Sequence, residues 1–106
     1  MAQMGETAIL VHGYGVRGFF WSALKEELAD DFSSILTPDL DIESVDAGVD
    51  SVVELARRQR EKSGAPVVLI GHSLGGVICA LAAQRLSREE ASHLVMELPP
   101  YHLPRF

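Results

Sequence analysis

The alternation of short apolar runs with longer helical patterns constrains the fold of this chain more than any other feature. Three runs, Thr7–Val11, 34–37 and 66–70, predict strands, and residues 93–98 predict a fourth. The third run is apolar throughout, as in strands buried on both faces of a sheet. Strands separated by helices pair in parallel, since each helix returns the chain to the same end of the sheet. The sequence therefore predicts an α/β fold, with a parallel sheet of three to four strands flanked by helices.

Three segments between and after these runs predict helices. Residues 21–30 place Leu24 and Leu28 four apart on one face. A second helix begins near Val45, where apolar residues recur on one face, and it ends at Gly64. Residues 77–86 are apolar on nearly all sides, which predicts a helix inside the protein. The last turns of the second helix carry basic side chains that predict a solvated helix end: Arg57, Arg58, Arg60 and Lys62.

Composition excludes several classes of function. The 106 residues suffice for one domain, and a net charge of −6 disfavours nucleic acid as a partner. No apolar run approaches the roughly 20 residues that cross a bilayer. About six residues precede the first run, too few for a secretory signal, so the predicted location is the cytoplasm. Cys79 is the single cysteine, which excludes an intrachain disulfide and a Cys-rich metal site.

The segment Gly71-x-Ser73-x-Gly75 lies between a predicted buried strand and a predicted helix. A serine presented on such a strained turn needs neighbours, two residues before and after it, that are too small to obstruct the backbone. The amide of Leu74, at the start of the helix, would point to where negative charge develops during acyl transfer. This context predicts a nucleophilic Ser73, with His72 as part of the same turn.

The segment His12-Gly13-Tyr14-Gly15 follows the first strand, where a backbone amide could provide the second donor to an oxyanion. Tyr14 is the predicted donor, and Gly13 is the alternative. His12 precedes Ser73 in the chain and belongs to this loop. We therefore expect it to support the loop by hydrogen bonding and not to act as the general base.

Four segments resemble the lipase and esterase branch of the α/β-hydrolase superfamily, in the family's order and at roughly its spacings: 9–15, 19–21, 38–40 and 67–76. The resemblance covers residues 7 to about 87. It implies Ser73 as the nucleophile of a serine hydrolase, Tyr14 and Leu74 as the oxyanion hole, and a small-molecule ester as the substrate. It implies no metal and no organic cofactor. The supporting elbow and loop residues are His12, Gly13, Gly15, Gly71, His72 and Gly75.

A serine needs a histidine to take its proton and a carboxylate to orient that histidine. In this superfamily both follow the serine. After Ser73 the chain offers Glu89, Glu90 and Glu97 as acids and His93 and His102 as bases. Eight residues after Leu98 are too few for another crossover, so a complete triad is not expected.

The sequence thus predicts a single partial, truncated hydrolase domain over residues 1–106, with the core match at 7–92 and an extra strand and tail at 93–106. Its sheet would have an open edge, which predicts self-association or a complementing chain. The alternative with the same fold is a non-catalytic or partner-completed fragment. Residues 19–21 would line an acyl pocket or, equally, pack the following helix.

A dinucleotide-binding Rossmann module is the remaining alternative. Gly13-x-Gly15-x-x-Gly18 follows a strand, and Asp39 lies about 21 residues further on. Phe19 and the two aromatic residues after it suit poorly a helix that packs closely beneath a pyrophosphate. This alternative also leaves the Ser73 segment without an explanation.

Overall fold

A computed structural model describes residues 6–12, 22–40 and 44–97 of the chain. The described part forms a four-stranded parallel sheet with helices packed on it, which confirms the predicted fold class. In chain order the elements are β1 (Thr7–Val11), α1 (Ser22–Leu28), β2 (Ser34–Leu36), α2 (Val45–Ser63), β3 (Val67–His72), α3 (Leu74–Arg85) and β4 (Ala91–Glu97).

The strand order is β2-β1-β3-β4, and every neighbouring pair is parallel. The chain therefore leaves β1 toward one side for β2 and returns to the other side for β3. Ligands of open α/β sheets bind at the carboxyl ends of the strands where the order reverses, here between β1 and β3. A Rossmann unit instead pairs its third strand with its second, so the topology does not support dinucleotide binding.

Helix α2 begins and ends at residues whose chemistry caps it. The Ser44 hydroxyl accepts the Ala47 amide at 3.1 Å, as expected of an N-cap serine. Gly64 adopts the left-handed conformation at φ 76° and donates its amide to the Arg60 carbonyl at 2.9 Å. The prediction that this helix ends at Gly64 is confirmed.

The core lies on both faces of the sheet. On one face, α2 and α3 cover the larger cluster, which includes Ile9, Leu69 and Ile78. On the other face, α1 borders a smaller cluster of four buried residues: Ala8, Leu10, Val68 and Ile70. Each fully buried aliphatic side chain contributes about 1.5–3 kcal/mol relative to its exposed state. Most of the stabilisation of this sheet therefore comes from β1 and β3.

The turn predicted over residues 71–76 is much tighter than expected. Strand β3 continues through His72, and α3 begins at Leu74, so Ser73 alone separates the strand from the helix. The strand is longer than predicted because Gly71 and His72 stay in the ladder with β4. The helix starts three residues before the predicted position 77.

Two other predictions need correction. Helix α3 is not enclosed on all sides, because Val77 and Leu81 are 42% and 37% exposed on its outer face. The basic end of α2 is not simply solvated. Arg57 forms an ion pair with Glu90 at 3.0 Å, and Arg60 donates to the Glu89 carbonyl at 2.6 Å. These two arginines hold the α3–β4 connection against α2.

Candidate active site

Ser73 lies in the sharp turn between β3 and α3, at the carboxyl ends of the parallel strands. Its backbone has φ 57° and ψ −123°, and among the described residues it is the one non-glycine residue with positive φ. Such a conformation costs roughly 1–3 kcal/mol and persists where the surrounding packing imposes it. The serine does not use its side chain to cap α3. The turn thus has the backbone shape that presents a side chain beyond the end of the sheet.

Gly71 and Gly75 are required by close backbone contacts on either side of Ser73. A Cβ atom on Gly71 would lie 2.4 Å from the Gly75 carbonyl oxygen. A Cβ atom on Gly75 would lie 2.2 Å from the Val11 carbonyl oxygen and 2.5 Å from that of His12. Backbone atoms cannot move aside as a flexible side chain can. At Gly75 the first turn of α3 therefore packs directly against the end of β1, with no space for a side chain at that position.

Hydrogen bonds fix the Ser73 backbone between β4 and α3. Its amide donates to the Glu97 carbonyl at 2.9 Å, which extends the β3–β4 ladder by one residue. Its carbonyl accepts the Gly76 amide at 2.9 Å and begins the helix. Leu74 is the first residue of α3, and the first four amides of a helix have no acceptor within it. This position suits the oxyanion donor that the sequence predicts.

His12 follows β1 and is 3% exposed. Its Nε2 atom accepts the Leu40 amide at 3.0 Å, which joins the end of β1 to the segment after β2. A general base needs a free lone pair to take a proton. The Nε2 lone pair of His12 already accepts the Leu40 amide. The geometry therefore favours a supporting role for His12 over a basic one.

The first strand and the elbow meet in register. Val11 pairs with Gly71, so the end of β1 lies beside the start of the elbow. His72, the last residue of β3, is half-buried and pairs with Glu97. Three residues of the predicted loop, Gly13, Tyr14 and Gly15, lie outside the described residues, as do residues 19–21. The role of Tyr14 as second oxyanion donor stays a prediction.

Of the three candidate acids, Glu97 alone lies beside the elbow, through the hydrogen bond between its carbonyl and Ser73. Glu89 and Glu90 precede β4 and lie at the opposite end of the strands, where the Glu90 carbonyl accepts the amide of Val67, the first residue of β3. The Ser87 amide, followed by the Arg57 side chain, lowers the pKa of Glu90. Glu90 thus caps a turn and binds an arginine.

His93, the candidate base that lies among the described residues, is far from Ser73. His93 pairs with Val68, five residues before Ser73, which corresponds to roughly 16 Å along a strand. Its Nδ1 atom lies 3.0 Å from the Ser92 hydroxyl, which in turn hydrogen-bonds Glu6. His102 lies outside the described residues. The structure thus brings together Ser73, Leu74, His12 and Glu97, but not His93.

Sequence reasoning missed the arginine contacts that anchor β4. Ser87 and Glu90 form a reciprocal turn, in which the Glu90 carboxylate accepts the Ser87 amide at 2.8 Å. Arg57 donates to the Glu90 carboxylate and to the Arg85 carbonyl. The Ser87-x-x-Glu90 pattern, which is typical of capping boxes, was the available signal. These contacts join the α3–β4 connection, from which β4 starts, to α2.

Other chemistry among the described residues is sparse. Cys79 is buried in α3, and burial raises the pKa of its thiol to about 12. No group of three or more His, Cys, Asp and Glu side chains in residues 6–12, 22–40 and 44–97 is arranged to hold a metal ion. None of the helices in that part of the chain combines the length and the apolar character needed to cross a membrane.

Comparison with known proteins identifies the class to which this fold and elbow belong. The model of the alpha/beta hydrolase family matches residues 8–103, which is most of the chain. The chain therefore belongs to the alpha/beta hydrolase family. No curated protein sequence matches it significantly.

Solved structures of this class superpose well on the chain. It is similar to a thermophilic esterase from Thermogutta terrifontis, with 28% identity over 87% of the chain and a TM-score of 0.69. An N-formylmaleamic acid deformylase from Pseudomonas putida S16 also shows 28% identity over 87% of the chain, with a TM-score of 0.68. A candidate lipase from Acinetobacter baumannii AYE shows 25% identity over 90%, with a TM-score of 0.64.

The chain spans little more than a third of the length of these relatives. The matches cover 36% of the esterase, 38% of the deformylase and 34% of the candidate lipase.

Proposed function

We propose that this chain is a serine hydrolase that acts on carboxylic esters, with Ser73 as its nucleophile. The observation that carries the proposal is the backbone of Ser73, held at positive φ between two glycines that can bear no side chain. A strained turn of this kind serves to present a nucleophile at the end of a sheet. The esterase and the candidate lipase among the similar structures favour an ester as the substrate class.

In the proposed reaction, the Ser73 hydroxyl oxygen attacks the ester carbonyl carbon while a base takes the hydroxyl proton. The oxygen that becomes negative accepts hydrogen bonds from the Leu74 and Tyr14 amides. The tetrahedral intermediate then expels the alcohol, which receives the proton, and leaves an acyl group on Ser73. Water releases that group as the acid by the same steps. Removing one such donor typically slows acyl transfer by about 10²–10³.

The base is proposed to come from outside the described residues, either from His102 or from a complementing chain. The roughly 16 Å between His93 and the level of Ser73 argues against His93. Glu97 is the proposed acid, because among the three candidates it lies at the same end of the strands as Ser73, whereas Glu89 and Glu90 precede β4.

The test is reaction with a fluorophosphonate, which modifies activated serines. We expect labelling of the wild-type chain and no labelling of Ser73→Ala. Ser87→Ala is the matched control, because Ser87 lies on the α3–β4 connection, at the end of the strands opposite to Ser73. This variant should label like the wild type. A wild-type chain that labels, together with a Ser73→Ala chain that labels equally, would show that Ser73 is not the nucleophile.

A non-catalytic or partner-completed fragment is the second candidate. The separation of His93, Glu89 and Glu90 from Ser73 favours it. It predicts a chain with α/β circular dichroism and a cooperative unfolding transition that does not label. Ester hydrolysis by that folded chain, abolished by Ser73→Ala, would exclude this candidate.

A further inference from the structure

We draw no further inference here: the strongest candidate, the apolar groove of about 530 Å³ between α1 and β4 that Leu24, Phe32 and Val95 help to line, carries no proposal, because nothing in residues 6–12, 22–40 and 44–97 shows what covers it.

Discussion

The elbow at Ser73 and the strand β4 are neighbours, joined by the hydrogen bond from the Ser73 amide to the Glu97 carbonyl. The two regions are nevertheless packed very differently. Around Ser73 the backbone of three elements is so close that a Cβ atom at Gly75 would lie 2.2 Å from a carbonyl oxygen. In β4 the central side chains are 38% to 48% exposed. The geometry of the candidate nucleophile therefore depends on the packing of β1, β3 and α3. The position of β4 depends instead on its ladder with β3.

The largest effect expected from this contrast is at Gly75. Gly75→Ala would force a methyl group against the Val11 and His12 carbonyls, and the backbone of α3 or β1 would have to move. We expect a loss of at least about 3 kcal/mol in the free energy of unfolding, measured by denaturant titration. Gly76→Ala is the control. Its Cβ atom would lie 3.4 Å from the Gly71 carbonyl oxygen, so the loss should stay below about 1 kcal/mol. Equal losses would refute the packing argument.

The next effect compares two leucines of adjacent strands. Leu69 in β3 is fully buried, whereas Leu94 in β4 is 38% exposed. Leu69→Ala should cost about 2–5 kcal/mol, because it leaves a cavity in the larger core cluster. Leu94→Ala should cost less than about 1 kcal/mol. Comparable costs at the two positions would show that β4 is as well packed as β3.

His12 should give an intermediate effect. His12→Ala removes the acceptor of the Leu40 amide in a buried place, which we expect to cost about 1–3 kcal/mol. His12→Gln keeps an acceptor and should recover part of that stability. Fluorophosphonate labelling of Ser73 should fall in the alanine variant and partly return in the glutamine variant. Normal labelling in both variants would show that the hydrogen bond does not support the site.

Glu90 should give the smallest effect, and one that depends on pH. Its pKa is lowered in the folded state, so it stabilises the fold above its unfolded pKa of about 4.3 and ceases to do so as the pH falls below that value. Glu90→Gln should therefore be slightly less stable than the wild type at pH 7. The difference should shrink between about pH 5 and pH 3. A difference that is constant with pH would mean that the carboxylate charge is not involved.

Much of the fold was predictable because local chemistry and tertiary packing agree. The periodic valines from Val45 onward and the stop at Gly64 defined α2, and the uniformly apolar run through Ile70 defined the centre of β3. The glycines around Ser73 also indicated the site. The family match to residues 8–103 and the parallel sheet confirm the predicted family and fold class.

The features that sequence could not give depend on contacts between distant residues. The length of β3 beyond Ile70 is determined by its ladder with β4, and no local preference of Gly71 or His72 indicates it. The binding of Glu90 by Arg57 joins residues 33 apart in the chain. The hydrogen bond between His12 and Leu40 likewise depends on how β1 and β2 lie side by side. Periodicity carries no information about such pairs.

The most direct test of the central claim, that Ser73 is an activated nucleophile, is to locate the fluorophosphonate adduct by mass spectrometry. Tryptic cleavage after Lys62 and Arg85 yields one peptide that contains both Ser63 and Ser73. Fragmentation of that peptide then distinguishes the two serines. We expect the mass increase to lie on Ser73 and to disappear when the protein is unfolded before reaction. An adduct on Ser63 or another serine, or labelling that survives unfolding, would contradict it.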